Sequence, residues 1–177
     1  MTDLELTIGL LAATWVLVAG ILSLWYLQTR QARHLNSATA LLALKDRFEA
    51  SKMRVARRAL ARDLLEGSIS EVTTVEVPVF FELMGALVHR GALDEPLVWS
   101  AFGGWVTNYY HAMRHPVDYI GRSRSAFRDP TIFREFEWLH GRMTRRDRRH
   151  GGPIAPTSAD EESREILRHE AGIDAGT

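Results

Sequence analysis

The sequence predicts an all-α protein, with one amino-terminal transmembrane helix followed by a small cytoplasmic helical bundle. Three observations predict it. An uncharged apolar run from Leu6 to Leu27 opens the chain. Beyond it, apolar residues recur at three- and four-residue intervals, the period of a helix with one buried face. Capping residues and prolines then punctuate the chain where such helices should start. The one valine-rich stretch, Val72 to Val79, has its alternation broken by Glu76 and Pro78, which argues against a strand.

The run from Leu6 to Leu27 covers 22 positions without a formal charge. As a helix it spans roughly 33 Å, about the thickness of a hydrocarbon core. Trp25 and Tyr26 sit at its carboxyl end, where amphipathic rings favour the headgroup zone. Asp3 and Glu5 precede the run, and Arg30 and Arg33 follow it. That charge order places the amino terminus outside and the remainder in the cytoplasm, in the inner (cytoplasmic) membrane. A cleaved signal peptide needs a basic leader and a small-residue cleavage site, and neither is present. A second uncharged stretch, Pro96 to Met113, carries Ser100, Asn108 and His111 and reads as a core helix.

From Asn36 to Glu66 nothing breaks a helix, and Leu41, Leu44, Phe48, Val55, Ala59, Leu60 and Leu64 give it an apolar face before Gly67 stops it. A second helix reads from about Val75 to Arg90, with Pro78 in its first turn. A third opens at Asp94-Glu95-Pro96 and runs to about Met113. A short element covers Val117 to about Arg124. Asp129-Pro130 repeats the cap-then-proline pattern, and the helix it opens presents Ile132, Phe133, Phe136 and Leu139 before ending in arginines. The expected organisation is therefore a short extracytoplasmic terminus (1–5), a transmembrane helix (6–27), a cytoplasmic helical domain (28–150) and a mobile acidic tail (151–177). Ser158 and Glu161 can form a capping box for a short helix within that tail.

The overall charge is balanced, with 22 basic and 22 acidic residues, so no bulk polycation for nucleic acid is present. Charge is nonetheless dealt out in blocks. Residues 28–66 carry nine basic and four acidic side chains, and residues 67–121 carry two and six. Complementarity between helices of one bundle accounts for such blocks. The absence of cysteine removes disulfides, thiol nucleophiles and cysteine-ligated metals.

Few residues suggest chemistry. No phosphate loop, dinucleotide turn or nucleophile elbow occurs. Gly103-Gly104 lies inside a helix and is expected to mark a close helix crossing beside Trp99 and Trp105. His111 and His115 share a helix face, and Glu137 with His140 forms one Glu-x-x-His, but a bundle di-metal centre needs two such motifs and further carboxylates. Solvent-facing histidines and no metal or cofactor are expected. Glu82 is a lone acid among Phe80, Phe81, Leu83, Met84 and Leu87, so it requires a partner. The basic helix before it offers Arg54, Arg57, Arg58 and Arg62, and an ion pair with Arg58 is expected. The run from Arg142 to Arg149 lacks the aromatics of a single-strand platform. Arg145, Arg146, Arg148 and Arg149 are candidate contacts for anionic lipid.

The segment Phe80-Phe81-Glu82-Leu83-Met84-Gly85, with Leu87-Val88, Gly91-Ala92-Leu93-Asp94, Val98-Trp99, Phe102-Gly103 and Phe136-Glu137-Trp138-Leu139, resembles the bacterial domain of unknown function 4760. The resemblance covers roughly residues 6 to 140 and implies a membrane helix followed by a compact helical domain. It implies no activity.

The expected role is that of a single-pass, membrane-anchored interaction or scaffolding module, with the bilayer and another protein as partners and no nucleic acid. Two alternatives remain: a regulatory domain that senses anionic lipid through the arginine-rich end, and an enzyme with a site between helices near Glu82 and His111.

Overall fold

The structure is a computed structural model that describes residues 20–23, 25, 26, 28, 36–67, 75–115, 118–150 and 156–172, with the side chains of 156–160 and 162 left aside. Every regular element among the described residues is helical. The chain divides into two units, Met1–Ser37 and Ala38–Thr177.

In the first unit the described residues are helical. Ile21, Leu22, Trp25 and Tyr26 are all exposed, at 59–65%. Most of the expected span lies outside the described residues, as do Arg30 and Arg33. Among the described residues, no helix is long and apolar enough to cross a membrane.

The expected helix from 36 to 66 is two helices. Residues 36–49 form α1 and Ser51–Glu66 form α2, divided at Ala50, whose ψ of 145° is extended. Neither glycine nor proline marks the break. Its cause lies in the phase of the buried side chains. Leu44 and Phe48 face the core from α1, whereas Met53, Ala56, Leu60, Ala61 and Leu64 face it from α2. Five residues separate Phe48 from Met53, which is about 140° around an unbroken helix. The break brings both stripes to one core, and it leaves Val55, expected to be inside, 68% exposed. Gly67 ends α2 in the left-handed conformation, φ 67°, as expected.

Helices α3 (Glu76–His89) and α4 (Glu95–Arg114) keep the boundaries their caps and prolines announce. Helix α5 (Tyr119–Phe127) is longer than expected; the Asp118 carboxylate accepts the Gly121 amide at 3.2 Å and so caps its first turn. Helix α6 is Arg134–His150 and begins later than Asp129-Pro130 suggests. Asp129 turns inward on its own loop, accepting Thr131 N at 2.8 Å, and Phe133 takes φ 58° before the helix starts.

The short helix that the Ser158–Glu161 capping box announces is present in the tail, and it is longer than expected. Residues Pro156–Ala171 form a full helix, α7, which packs on α2 and α4 and buries Ser163, Leu167 and Ala171. Its acidic composition conceals a narrow buried seam at every fourth residue, in which the Ser163 hydroxyl donates to Asn108 Oδ1 at 3.1 Å.

The core is aromatic. The Phe48 ring lies 5.3–6.0 Å from the rings of Phe80, Phe81, Phe102 and Trp105, and Phe81 stacks on Phe136 at 5.0 Å. The close helix approach expected at Gly103-Gly104 is found instead at Gly85. A Cβ there would overlap the Glu135 carbonyl of α6, whereas Gly104 faces open space and Gly103 is covered by the Trp99 side chain of its own helix.

Candidate functional site

Glu82 sits on α3, half-buried, with its Oε2 accepting the Phe136 backbone amide at 2.7 Å. The first four amides of a helix have no partner within it. Phe136 is the third residue of α6, and the residue preceding that helix, Phe133, has no side-chain acceptor. Glu82 supplies that acceptor from another helix and sets a negative charge at the positive end of the α6 dipole. The expected ion pair is thereby corrected: Arg58 points outward, and the partner of Glu82 is a backbone amide. A helix end offers a carboxylate the same compensation as a cation, without any side chain to announce it.

Around that junction, His89 Nδ1 lies 2.7 Å from Glu135 Oε2, and the His89 ring stacks on Trp138 at 4.4 Å. The contact from His89 holds the Glu135 carboxyl below the usual carboxylate range.

The histidines do not converge as ligands, and among the described residues no group of three metal-ligating side chains forms. Against expectation, His140 is largely enclosed: it stacks on Tyr110 at 4.2 Å and meets the edge of His111 at 5.1 Å. Burial, reinforced by the neighbouring His111, pushes its pKa down to about 4. Glu137 is turned to Arg124, 2.7 Å away, and that hydrogen bond lowers its pKa. Glu82 and His111 reach α6 one turn apart, the first through the Phe136 amide and the second through the His140 ring.

The arginine run divides into anchored and free members. Arg142 Nε donates to Glu95 at 2.8 Å, and Arg146 lies over the Trp99 ring at 5.2 Å. The Trp99 indole N–H donates to Asp147 at 2.6 Å. These contacts fasten the carboxyl half of α6 to the start of α4. Arg145, Arg148 and Arg149 are exposed.

One residue escaped the sequence reading as a distinct feature. Arg57 is 5% exposed, with its guanidinium carbon 4.0 Å above the Phe48 ring and 5.3 Å from that of Trp105. Its Nε lies 3.3 Å from Glu170 Oε2 of α7 without hydrogen-bond geometry, and both Nε and Nη1 are buried and make no hydrogen bond. The signal was present: Arg57 falls four residues after Met53 and three before Leu60, on the buried stripe of α2. Beside it lies a cavity of about 570 Å³, floored by Ser100, Ala101, Gly103 and Gly104 and walled by Trp105. A second cavity of about 480 Å³ lies between Leu64, His111 and Ala112 on one side and Leu167 and Arg168 of α7 on the other.

No curated protein and no solved structure gives a significant match to this chain. One family does match, described as a domain of unknown function (DUF4760), over residues 11–143, which takes in α1 to α5 and most of α6 and leaves α7 outside. With three quarters of its length matched, the chain belongs to the DUF4760 family.

Proposed function

We propose that this protein is a single-pass, membrane-anchored interaction module, its amino terminus outside the inner membrane and its helical domain in the cytoplasm. The observation that carries the reading is the uncharged run Leu6–Leu27, whose described residues Ile21, Leu22, Trp25 and Tyr26 are helical and turn large apolar surfaces outward. In water such surface is costly; in hydrocarbon it is the expected exterior. Arg30 and Arg33 against Asp3 and Glu5 support the orientation.

The role as an interaction module, rather than an enzyme, is supported by how the acids are used. Glu82, Glu95, Glu135 and Glu137 each tie one helix to another. The reading is tested by fractionation and topology. The protein should stay with membranes through an alkaline carbonate wash, and a reporter fused after Thr177 should be cytoplasmic. Release by carbonate, or a reporter outside, overturns it. Exposure of Arg145, Arg148 and Arg149 favours a second reading, contact with anionic lipid. Salt-sensitive binding to phosphatidylserine vesicles tests that separately.

A further inference from the structure

Helix α7 packs on α2 and α4 with open space on either side of the contact. Its two cavities, about 570 and 480 Å³, run along the two sides of its contact with α2 and α4. Its buried side chains are small or few: Ser163, Leu167 and Ala171. Ile166, His169 and Glu170 reach toward the larger cavity without filling it. At its carboxyl end it is held by two arginines of α2. Arg62 donates to the Ala171 carbonyl at 3.4 Å, and Arg57 stands 3.3 Å from Glu170.

The contact is also left electrically incomplete. Among the described residues, Nε and Nη1 of this buried guanidinium make no hydrogen bond, and its charge is met only by Glu170 at 3.3 Å and by the ring faces of Phe48 and Trp105, a costly arrangement for a buried cation. The Tyr109 hydroxyl, also buried without a hydrogen bond, lies within the electrostatic reach of both Glu170 and Arg57. The floor of small residues, Ser100, Ala101, Gly103 and Gly104, opens space beside this arginine for a large side chain that α7 does not supply. Here the mid-helix glycine pair finds a use other than helix crossing.

We propose that α7 is a displaceable occupant of a helix-binding groove on α2 and α4. Its ligand is an amphipathic helix of a partner protein that presents a carboxylate to Arg57 and a bulky aromatic side chain to the Ser100–Gly104 floor. The proposal rests on the interaction-module reading and names the partner's chemistry. Groove and ligand are complementary in charge at the carboxyl end of the helix: α2 offers Arg57 and Arg62 there, against the acid Glu49 on the cavity lining, and a helix carboxyl end seeks both a cation and donors for its carbonyls. While α7 occupies the groove, its tethering raises its effective concentration, so a partner must fit better than α7 to enter. Bulk in the cavity and hydrogen bonds to Nε and Nη1 of Arg57, which the Glu170 ion pair leaves unmade, are the means of fitting better.

The test uses the full chain in detergent micelles and fluorescein-labelled peptides of residues 156–172. Hydrogen exchange should show α7 amides exchanging at least about tenfold faster than those of α4. Reversing the latch charge in the chain, Glu170→Arg, should free α7 while α4 stays protected. That chain should bind the peptide carrying Ile166→Trp, and adding Glu170→Gln to the peptide should weaken binding at least about tenfold. In a chain that also carries Arg57→Met, the two peptides should bind alike. If Glu170→Arg fails to fold, the wild-type chain decides: a saturating Ile166→Trp peptide should deprotect α7 alone. Equal affinity for the two peptides, α7 as protected as α4, or α7 still protected under saturating peptide overturns the proposal. Carbonate washing tests the anchor independently, so a failure here leaves the membrane reading standing.

Discussion

Glu82 caps a helix that begins more than fifty residues after it: its carboxylate takes the Phe136 amide at 2.7 Å and closes the amino end of α6. The same α3 surface carries Gly85, where α6 comes closest. One residue supplies the charge and the other the clearance for a single helix contact. In the sequence they are three apart, on one face of α3.

Glu82→Ala should destabilise the domain by about 1–3 kcal/mol, the cost of a lost cap plus a stranded buried amide. Glu82→Gln keeps an acceptor and should cost less. Arg58→Ala, on an exposed position, should change stability by no more than about 0.5 kcal/mol. Urea denaturation followed by circular dichroism measures all three. A loss at Arg58 equal to that at Glu82 would restore the ion pair and remove the cap.

Glycine-to-alanine substitutions separate clearance from propensity. Alanine is favoured over glycine inside a helix by about 1 kcal/mol. Gly104→Ala meets open space and should be neutral or stabilising by up to that amount. Gly85→Ala drives a methyl into the Glu135 carbonyl and should destabilise by about 1–3 kcal/mol. The sign difference between the two thermal midpoints is the readout.

His140 makes stability depend on pH. Its neutral form is preferred in the fold, where its pKa is pushed from 6.5 down to about 4. The unfolded chain therefore binds a proton in that interval and the folded chain does not. The stabilisation is complete above pH 6.5 and is lost as pH falls toward 4, by up to about 3 kcal/mol. His140→Phe should flatten the profile between those limits. A profile unchanged by that substitution would show that another group sets the slope.

Trp99 joins α4 to α6 through its N–H and its ring face. Trp99→Phe removes the bond to Asp147 and shrinks the platform under Arg146, and should cost about 1–3 kcal/mol. Asp147→Ala in the Trp99→Phe background should then cost far less than it does alone, which a double-mutant cycle reads directly.

How much of this was written in the sequence varies with the kind of signal. α3 and α4 were legible because prolines and acidic first turns act locally, and Gly67 ends α2 for an equally local reason. The break at Ala50 was illegible: alanine is the best helix former, and only the phase shift between Phe48 and Met53 betrays the turn. The capping box of Ser158 and Glu161 announced a helix in the tail, but its docking was hidden, because it buries only Ser163, Leu167 and Ala171. The partner of Glu82 was missed because a search among charged side chains passes over backbone amides. Arg57 was named only as one of four arginines, although its register with Met53, Leu60 and Leu64 marked it as the one facing inward.

The corner at Ala50 has a mechanical consequence. Neither glycine nor proline asks for it; in the bend the Ala50 amide donates to the Arg47 carbonyl at 3.4 Å, and beside it Phe48 enters the aromatic core. Phe48 both lies against the rings of α3 and α4 and covers the Arg57 guanidinium, so Phe48→Ala should loosen α1 and expose Arg57 together.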